Sequence, residues 1–159
     1  MPEIDVVIIK ELRELTGAGI MDCKQALEET KGNINEAAEI LRKKGIASAA
    51  KRASRTAGQG VIESYIHSGN KIGAMIEINC ETDFVARTEE FKGLAHDIAM
   101  QIAAMNPDNE TEDNSLDSLL SQEFIKDPSK TIGELVTEVT AKTGEHIEVK
   151  RFIRFAIGD

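Results

Sequence analysis

Tryptophan is absent and aromatic residues make up only 4% of the chain. None of them falls among the basic residues of 42–55, where a nucleic-acid base would need one to stack on. Cysteine is nearly as scarce: Cys23 and Cys80 stand 57 positions apart with no CxxC and no Cys/His companions. That spacing excludes a disulfide framework or a zinc ribbon and fits a reduced cytoplasm. The three histidines are scattered singly, which excludes a His-rich metal site. No apolar run approaches the roughly 20 residues that span a bilayer, and the opening MPEIDVVIIKEL has an acidic start without a small-residue cleavage site. What remains is ordinary for a soluble globular protein: 159 residues, 41% apolar and 30% charged. The expectation is a soluble, cytoplasmic chain that holds no metal or cofactor, built as one core with at most a small appended module.

The net charge of −9 is unevenly spread. Residues 1–41 carry a net −5, and 42–55 (RKKGIASAAKRASR) carry six basic groups and no acidic one. Residues 107–127 come to −6, and the last 32 residues are neutral. A +6 stretch invites three readings: a solvated helical linker, a contact with an acidic protein surface, or a nucleic-acid contact. Its Ala/Ser content favours the linker. The acidic segment 107–127 reads as a polar loop followed by a short helix, because Leu116, Leu119, Leu120 and Phe124 have helical spacing.

Residues 4–45 read as three short helices. Ile8, Leu12 and Leu15 mark the first, which ends at Thr16-Gly17-Ala18-Gly19. The second runs from about Asp22 to Glu29, with Gly32 suited to a left-handed position after it. The third opens on a capping box, Asn33 with Glu36, buries Ile34, Ala37, Ala38 and Leu41, and is expected to stop at Lys43-Lys44-Gly45. From residue 60 the period changes from helical to alternating. Residues 60–67 and 72–80 form a hairpin, with Ile72, Ala74, Ile76, Ile78 and Cys80 on one buried face. Thr88 opens a helix burying Phe91, Leu94, Ala95, Ile98 and Ile102. Thr131 and Glu134 form a capping box for another, ended by Gly144. Ile147, Val149, Arg151, Ile153 and Phe155 then alternate as a third strand. The fold class is α+β: an N-terminal three-helix bundle followed by a small antiparallel sheet with covering helices. The organisation is 1–45 helical, 46–55 a basic linker and 56–159 the α+β core.

One segment does not fit a packing account alone. Between the second strand and the next helix lies Cys80-Glu81-Thr82-Asp83-Phe84-Val85-Ala86-Arg87. A tight strand-to-helix connection normally uses Gly, Asn or Ser. Here it carries an acid, a large aromatic and a β-branched residue in succession. Either Phe84 folds back into the core and Asp83 caps a helix, or the pair projects as an aromatic anchor beside a carboxylate, the composition of an interface hot spot. Composition leaves both open.

The stretch LRELTGAGIMDCKQALEETKGNINEAAEILRKKG closely resembles the amino-terminal signature of the translation elongation factor Ts family. INCETDFVAR is similar to that family's TDFV motif, and DPSKTIGELVTEVTAKTGEHIEVKRFIRF resembles its closing segment. The three motifs come in the family's order and cover nearly the whole chain, with 107–127 the weakest match.

The resemblance implies a guanine nucleotide exchange factor, not an enzyme, that promotes GDP release from elongation factor Tu. It implies a ubiquitin-associated-like bundle gripping that partner through Arg13, Ile20, Met21 and Lys24, although Ile20 and Met21 also suit a bundle core. It places Thr82, Asp83, Phe84 and Val85 near the partner's Mg²⁺ and nucleotide, and His67 in a second contacting loop. The chain has material for one sheet only, so the resemblance to short relatives implies a homodimer formed through the sheet region. Direct nucleic-acid binding is disfavoured by a net −15 outside the basic stretch. An enzyme is disfavoured because no nucleophile motif, phosphate-binding glycine loop or ligand cluster accompanies Asp83, Glu81 and the histidines. A binding module for some other partner is the remaining alternative.

Overall fold

Asp5 starts the first helix by accepting the Val7 amide at 3.0 Å, and Gly17, at φ 67°, ends it by donating its own amide to the Arg13 carbonyl. The computed structural model describes residues 4–107 and 115–158. Helix α1 spans Val6–Thr16, α2 Ile20–Glu29 and α3 Ile34–Arg52. Gly32 takes the expected left-handed conformation (φ 86°). Asn33 caps α3 by accepting the Glu36 amide at 3.2 Å, while its own amide donates to the Thr30 carbonyl. Leu12, Cys23, Ala26, Leu27, Ala37 and Leu41 form the bundle core. Leu15 does not join them: it is 63% exposed at the mouth of a cleft between the bundle and a later helix.

The third helix does not stop at Gly45. An interior glycine costs a helix only about 1 kcal/mol, and the Ala-rich stretch that follows sustains it. Most of the segment read as a linker is therefore the last two turns of α3. Just before those turns the helix meets the core, where Gly45 faces Ala141 and Arg42 lies 3.9 Å from Glu134.

Strands β1 (Gln59–Ile66) and β2 (Ile72–Cys80) form the expected hairpin, paired from Gln59↔Cys80 to Ile66↔Gly73. Asn70, at φ 57°, and Gly69 make its turn. After β2 come the single-turn helix α4 (Asp83–Ala86), the long helix α5 (Glu89–Met105) and α6 (Ser115–Ser121). A two-stranded ribbon follows, β3 (Glu123–Phe124) with β4 (Asp127–Thr131), and then α7 (Ile132–Thr143) and β5 (Glu148–Ala156). The sequence pattern predicts the helix at α6, where Leu119 is buried, but Phe124, expected on that same helix, lies beyond it, buried in β3. It does not predict the ribbon. Residues 108–114, where the polar loop is expected, lie outside the described residues.

Strand β5 pairs with the free side of β2, giving the antiparallel order β1-β2-β5. The core lies between this sheet and α5, whose Phe91, Leu94, Ala95, Ile98 and Ile102 are all buried. The alternation expected of the third strand does not stay on one face. Glu77 pairs with Arg151 and Ile78 with Val149, so Lys150 is an extra residue. A bulge of this kind moves every later side chain to the opposite face. Ile147 and Val149 pack inward, Phe152 takes over the inner face, and Ile153 and Phe155 turn out at 47% and 70% exposure.

Two polar devices hold the remaining helices. Thr131 and Glu134 form the complete capping box of α7: Thr131 Oγ1 accepts the Glu134 amide and Glu134 Oε2 accepts the Thr131 amide. Gln101, fully buried on α5, donates to Gln122 Oε1 and the Glu123 carbonyl and accepts the Ile125 amide. That one side chain ties the ribbon to the core.

Candidate functional site

At the end of β2 the buried Cys80 thiol donates to the Thr82 carbonyl at 3.1 Å; burial pushes this thiol above its ordinary pKa. The chain then turns, and Thr82 caps α4 by accepting the Val85 amide at 3.4 Å. A four-residue helix has almost no stability of its own, so its orientation depends on its attachments. Ala86 is buried and Val85 packs against the core cluster, which pins the inner side of the turn. Asp83 and Phe84 lie on the other side. Phe84 is 88% exposed, and Asp83 makes a 2.6 Å ion pair with Arg87.

This geometry separates the two readings of the segment. Thr82, not Asp83, is the cap, and Phe84 projects instead of returning to the core. An exposed phenylalanine forgoes the roughly 1.5–3 kcal/mol that burying such a side chain contributes. An ordered turn that presents one to solvent fits an anchor for a partner better than it fits packing.

A second set of ties comes from the far end of the chain. Glu145 Oε1 accepts the amides of Glu81 (3.1 Å) and Thr82 (2.9 Å), and its Oε2 accepts the Thr82 hydroxyl at 2.7 Å. In return Glu81 Oε1 accepts the His146 amide at 2.8 Å and lies 3.5 Å from Arg55. The His146 amide, with the Arg55 charge, holds the Glu81 carboxyl below its ordinary pKa. Sequence reasoning missed Glu145 and the part played by Glu81. Their partners lie more than sixty residues away, and no local pattern marks such a pair.

The other expected contact residues occupy separate surfaces. Ile20 and Met21, in the first turn of α2, are 56% and 74% exposed and so do not serve the bundle core. Lys24, one turn further on, is exposed beside Glu28 at 3.9 Å, and Arg13 is exposed on α1. His67 sits at the hairpin tip with its Nδ1 3.1 Å from the Tyr65 hydroxyl. Strand β2 separates it from the projecting turn by about 26 Å at ~3.3 Å per residue.

A sequence profile described as Elongation factor TS matches residues 6–118. The chain is 45% identical to the elongation factor Ts of Desulforamulus reducens, with an alignment covering all of this chain and 91% of the relative. It is 47% identical to that of Carboxydothermus hydrogenoformans over 96% of this chain and 88% of the relative. It is 42% identical to that of Desulfosudis oleivorans over the full length of both.

The chain belongs to the elongation factor Ts family. The Desulforamulus and Desulfosudis alignments each run to 198 positions against a chain of 159, a difference of 39. These family members therefore carry residues inside the matched span that this chain lacks. Among the described residues no helix is long and apolar enough to cross a membrane, and no group of three or more His, Cys, Asp or Glu side chains could hold a metal ion.

Proposed function

We propose that this chain is a guanine nucleotide exchange factor that accelerates GDP release from elongation factor Tu, acting in the cytoplasm by binding and not as an enzyme. The observation that carries the reading is the 88% exposure of Phe84 on a turn tied at both ends, beside an exposed Asp83. Family membership directs that anchor toward the GTPase.

The physical logic runs through the partner's metal. Mg²⁺ holds a near-octahedral oxygen shell and bridges nucleotide phosphates, so a small displacement of the elements supporting it weakens both. Burial of Phe84 in the partner, worth roughly 1.5–3 kcal/mol, drives such a displacement. Asp83 brings a carboxylate toward the metal's water shell, and the backbone amides that cradle the phosphates lose their geometry. Thr82 and Val85 hold the turn from behind. Arg13, Ile20, Met21 and Lys24 supply a separate grip, and His67 a further contact at the hairpin tip. The domain roles follow: 1–45 binds the partner, 46–55 joins it to the core, and 56–159 carries the projecting turn and the dimer face. No direct nucleic-acid contact is invoked.

We also propose that two copies pair through the outer face of the sheet. Ile62, Ile66, Met75, Ile153 and Phe155 are exposed there, and the Arg151–Glu77 pair (2.7 Å) beside them can exchange partners across a two-fold axis. No helix of the described chain covers this face.

The deciding experiment is stopped-flow release of fluorescent GDP from purified elongation factor Tu, with wild-type protein and with Phe84→Ala. Strong acceleration by wild type and its loss in the variant support the reading. No acceleration at saturating protein removes it.

A further inference from the structure

The turn that carries Asp83 and Phe84 is held by a carboxylate from another part of the chain. We propose that Glu145 is a positioning residue for nucleotide release: it presets the projection of Phe84 before the partner is met. The proposal rests on the exchange-factor reading above and extends it to a residue outside the projecting segment.

Three features make Glu145 the controlling tie. It uses both carboxylate oxygens on three donors in two consecutive residues, Glu81 N, Thr82 N and Thr82 Oγ1. Hydrogen bonds to an ionised acceptor are shorter and stronger than neutral ones, and the 2.7 Å and 2.9 Å contacts are of that kind. Because the Thr82 hydroxyl proton points at Glu145 Oε2, the lone pairs of Thr82 Oγ1 are free to accept the Val85 amide and cap α4. Glu145 thereby orients the cap as well as the backbone leading into it.

The attachment behind Glu145 is equally defined. Gly144, at φ 73°, ends α7 with a left-handed step, and the Glu145 amide donates to Thr143 Oγ1 at 3.4 Å. The returning bond from the His146 amide to Glu81 closes a reciprocal clamp between the segments at 81–82 and 145–146. Neither segment is a regular element there, so the clamp replaces the hydrogen bonding that a strand would supply.

The consequence is kinetic. A preset anchor enters the partner without the ordering entropy that a loose loop would lose on docking. Contact made elsewhere, on α1 and α2, is independent of the clamp. Removing Glu145 should therefore leave the concentration dependence of exchange nearly intact and lower its plateau.

The test uses the full-length protein in the fluorescent-GDP assay over a range of concentrations, with Glu145→Ala, Glu145→Gln, Phe84→Ala and the double variant Phe84→Ala/Glu145→Ala. The expected result for Glu145→Ala is a maximal release rate lowered at least about tenfold, as misplacing a reacting group does, with the half-saturating concentration within about twofold of wild type. Glu145→Gln, which keeps one carbonyl oxygen for the two amides, should fall between Ala and wild type. In the Phe84→Ala background the substitution should lower the maximal rate by less than it does in wild type, because residues acting through one another are not additive and only the placement of Asp83 is left to lose. A multiplicative loss in that background overturns the proposal, as does a change in half-saturation alone or no change at all.

Amide hydrogen exchange of the free protein supplies the readout that needs no partner. Protection should fall at Thr82 and Val85 in Glu145→Ala and stay unchanged along α5. Loss along α5 as well would make Glu145 a general stabiliser and overturn its positioning role. If wild-type protein fails to accelerate GDP release, the exchange reading falls. The clamp is then still judged by whether the loss of protection is confined to the turn.

Discussion

Asp83 and Arg87 face one another across a single helical turn, carboxylate to guanidinium at 2.6 Å, with both side chains more than half exposed. An exposed pair at this spacing contributes only about 0.3–0.5 kcal/mol, so a docking partner can take either group from the other at little cost. Arg87→Ala should therefore change the maximal GDP-release rate by less than about threefold. On the exchange-factor reading Asp83→Asn removes a charge offered to the partner's metal site, and it should lower that rate by about thirtyfold, the scale of an interface hot spot. Similar losses in the two variants would mean that the pair acts as a unit and that Asp83 does not act alone.

The Gln101 amide is the one fully buried polar side chain of α5, and its three hydrogen bonds reach Gln122, Glu123 and Ile125. Gln101→Leu keeps the volume but leaves the Glu123 carbonyl and the Ile125 amide without this partner. Each group so stranded costs about 1–3 kcal/mol. Urea unfolding should show a stability lower by about 2–6 kcal/mol for the two groups together, read as a lower midpoint with an unchanged slope, while Phe84→Ala, at an exposed site, should leave the midpoint where it is. GDP release by folded Gln101→Leu at low temperature should match wild type.

Why these features differ in legibility follows from their range. The hydrophobic period of 72–80 and of α5, and the caps at Asn33, Thr88 and Thr131, are set by residues within four positions of one another, and all were readable. The end of α3 was not, because an interior glycine and three nearby cations look locally like a stop, while packing along α7 continues the helix. The bulge at Lys150 was invisible for a similar reason: it is defined by the partner strand, and the alternation in sequence continues through it. At the site, the sequence singled out Thr82–Val85 and left open whether Phe84 folds inward or projects. The turn that carries it is tied to Glu145, some sixty residues away, by bonds that no local pattern marks.

Several carboxylates are held below their ordinary pKa of 4.5: Glu77 by its hydrogen bond from Arg151, Glu39 by Arg42, and Glu81 by the His146 amide and Arg55. A depressed folded-state value means that the unfolded chain binds protons first on acidification. The stabilisation is complete above the unfolded value, near 4.5, and is lost as pH falls from there through the lower folded values. Urea midpoints should be flat from pH 7 to about 5 and then drop. Glu77→Gln should be less stable than wild type at pH 7 and should show a shallower acid decline, because one proton-uptake site is gone. An unchanged acid slope in Glu77→Gln would show that the Arg151 contact does not persist in solution.

Phe155 is 70% exposed on the outer face, directly across from Gly73 of β2, and Met75, at 48%, pairs with Ile153. Since none of these contributes to the inner core, a charge placed here tests association without testing the fold. Wild-type protein should scatter light as a particle of twice the chain's 17.4 kDa at micromolar concentration. Phe155→Glu, and more strongly Phe155→Glu with Met75→Glu, should shift it to the single-chain mass, because like charges meet across a two-fold interface. The circular dichroism spectrum should remain that of wild type, since the substituted side chains face solvent in the single chain. GDP release then separates two roles for the second copy. A monomer that retains the wild-type rate per chain makes the dimer a device for covering the apolar sheet. A monomer that loses it means the partner is contacted by both copies at once, with one chain's bundle working beside the other's projecting turn. A single-chain mass for wild type at micromolar concentration would remove the pairing altogether.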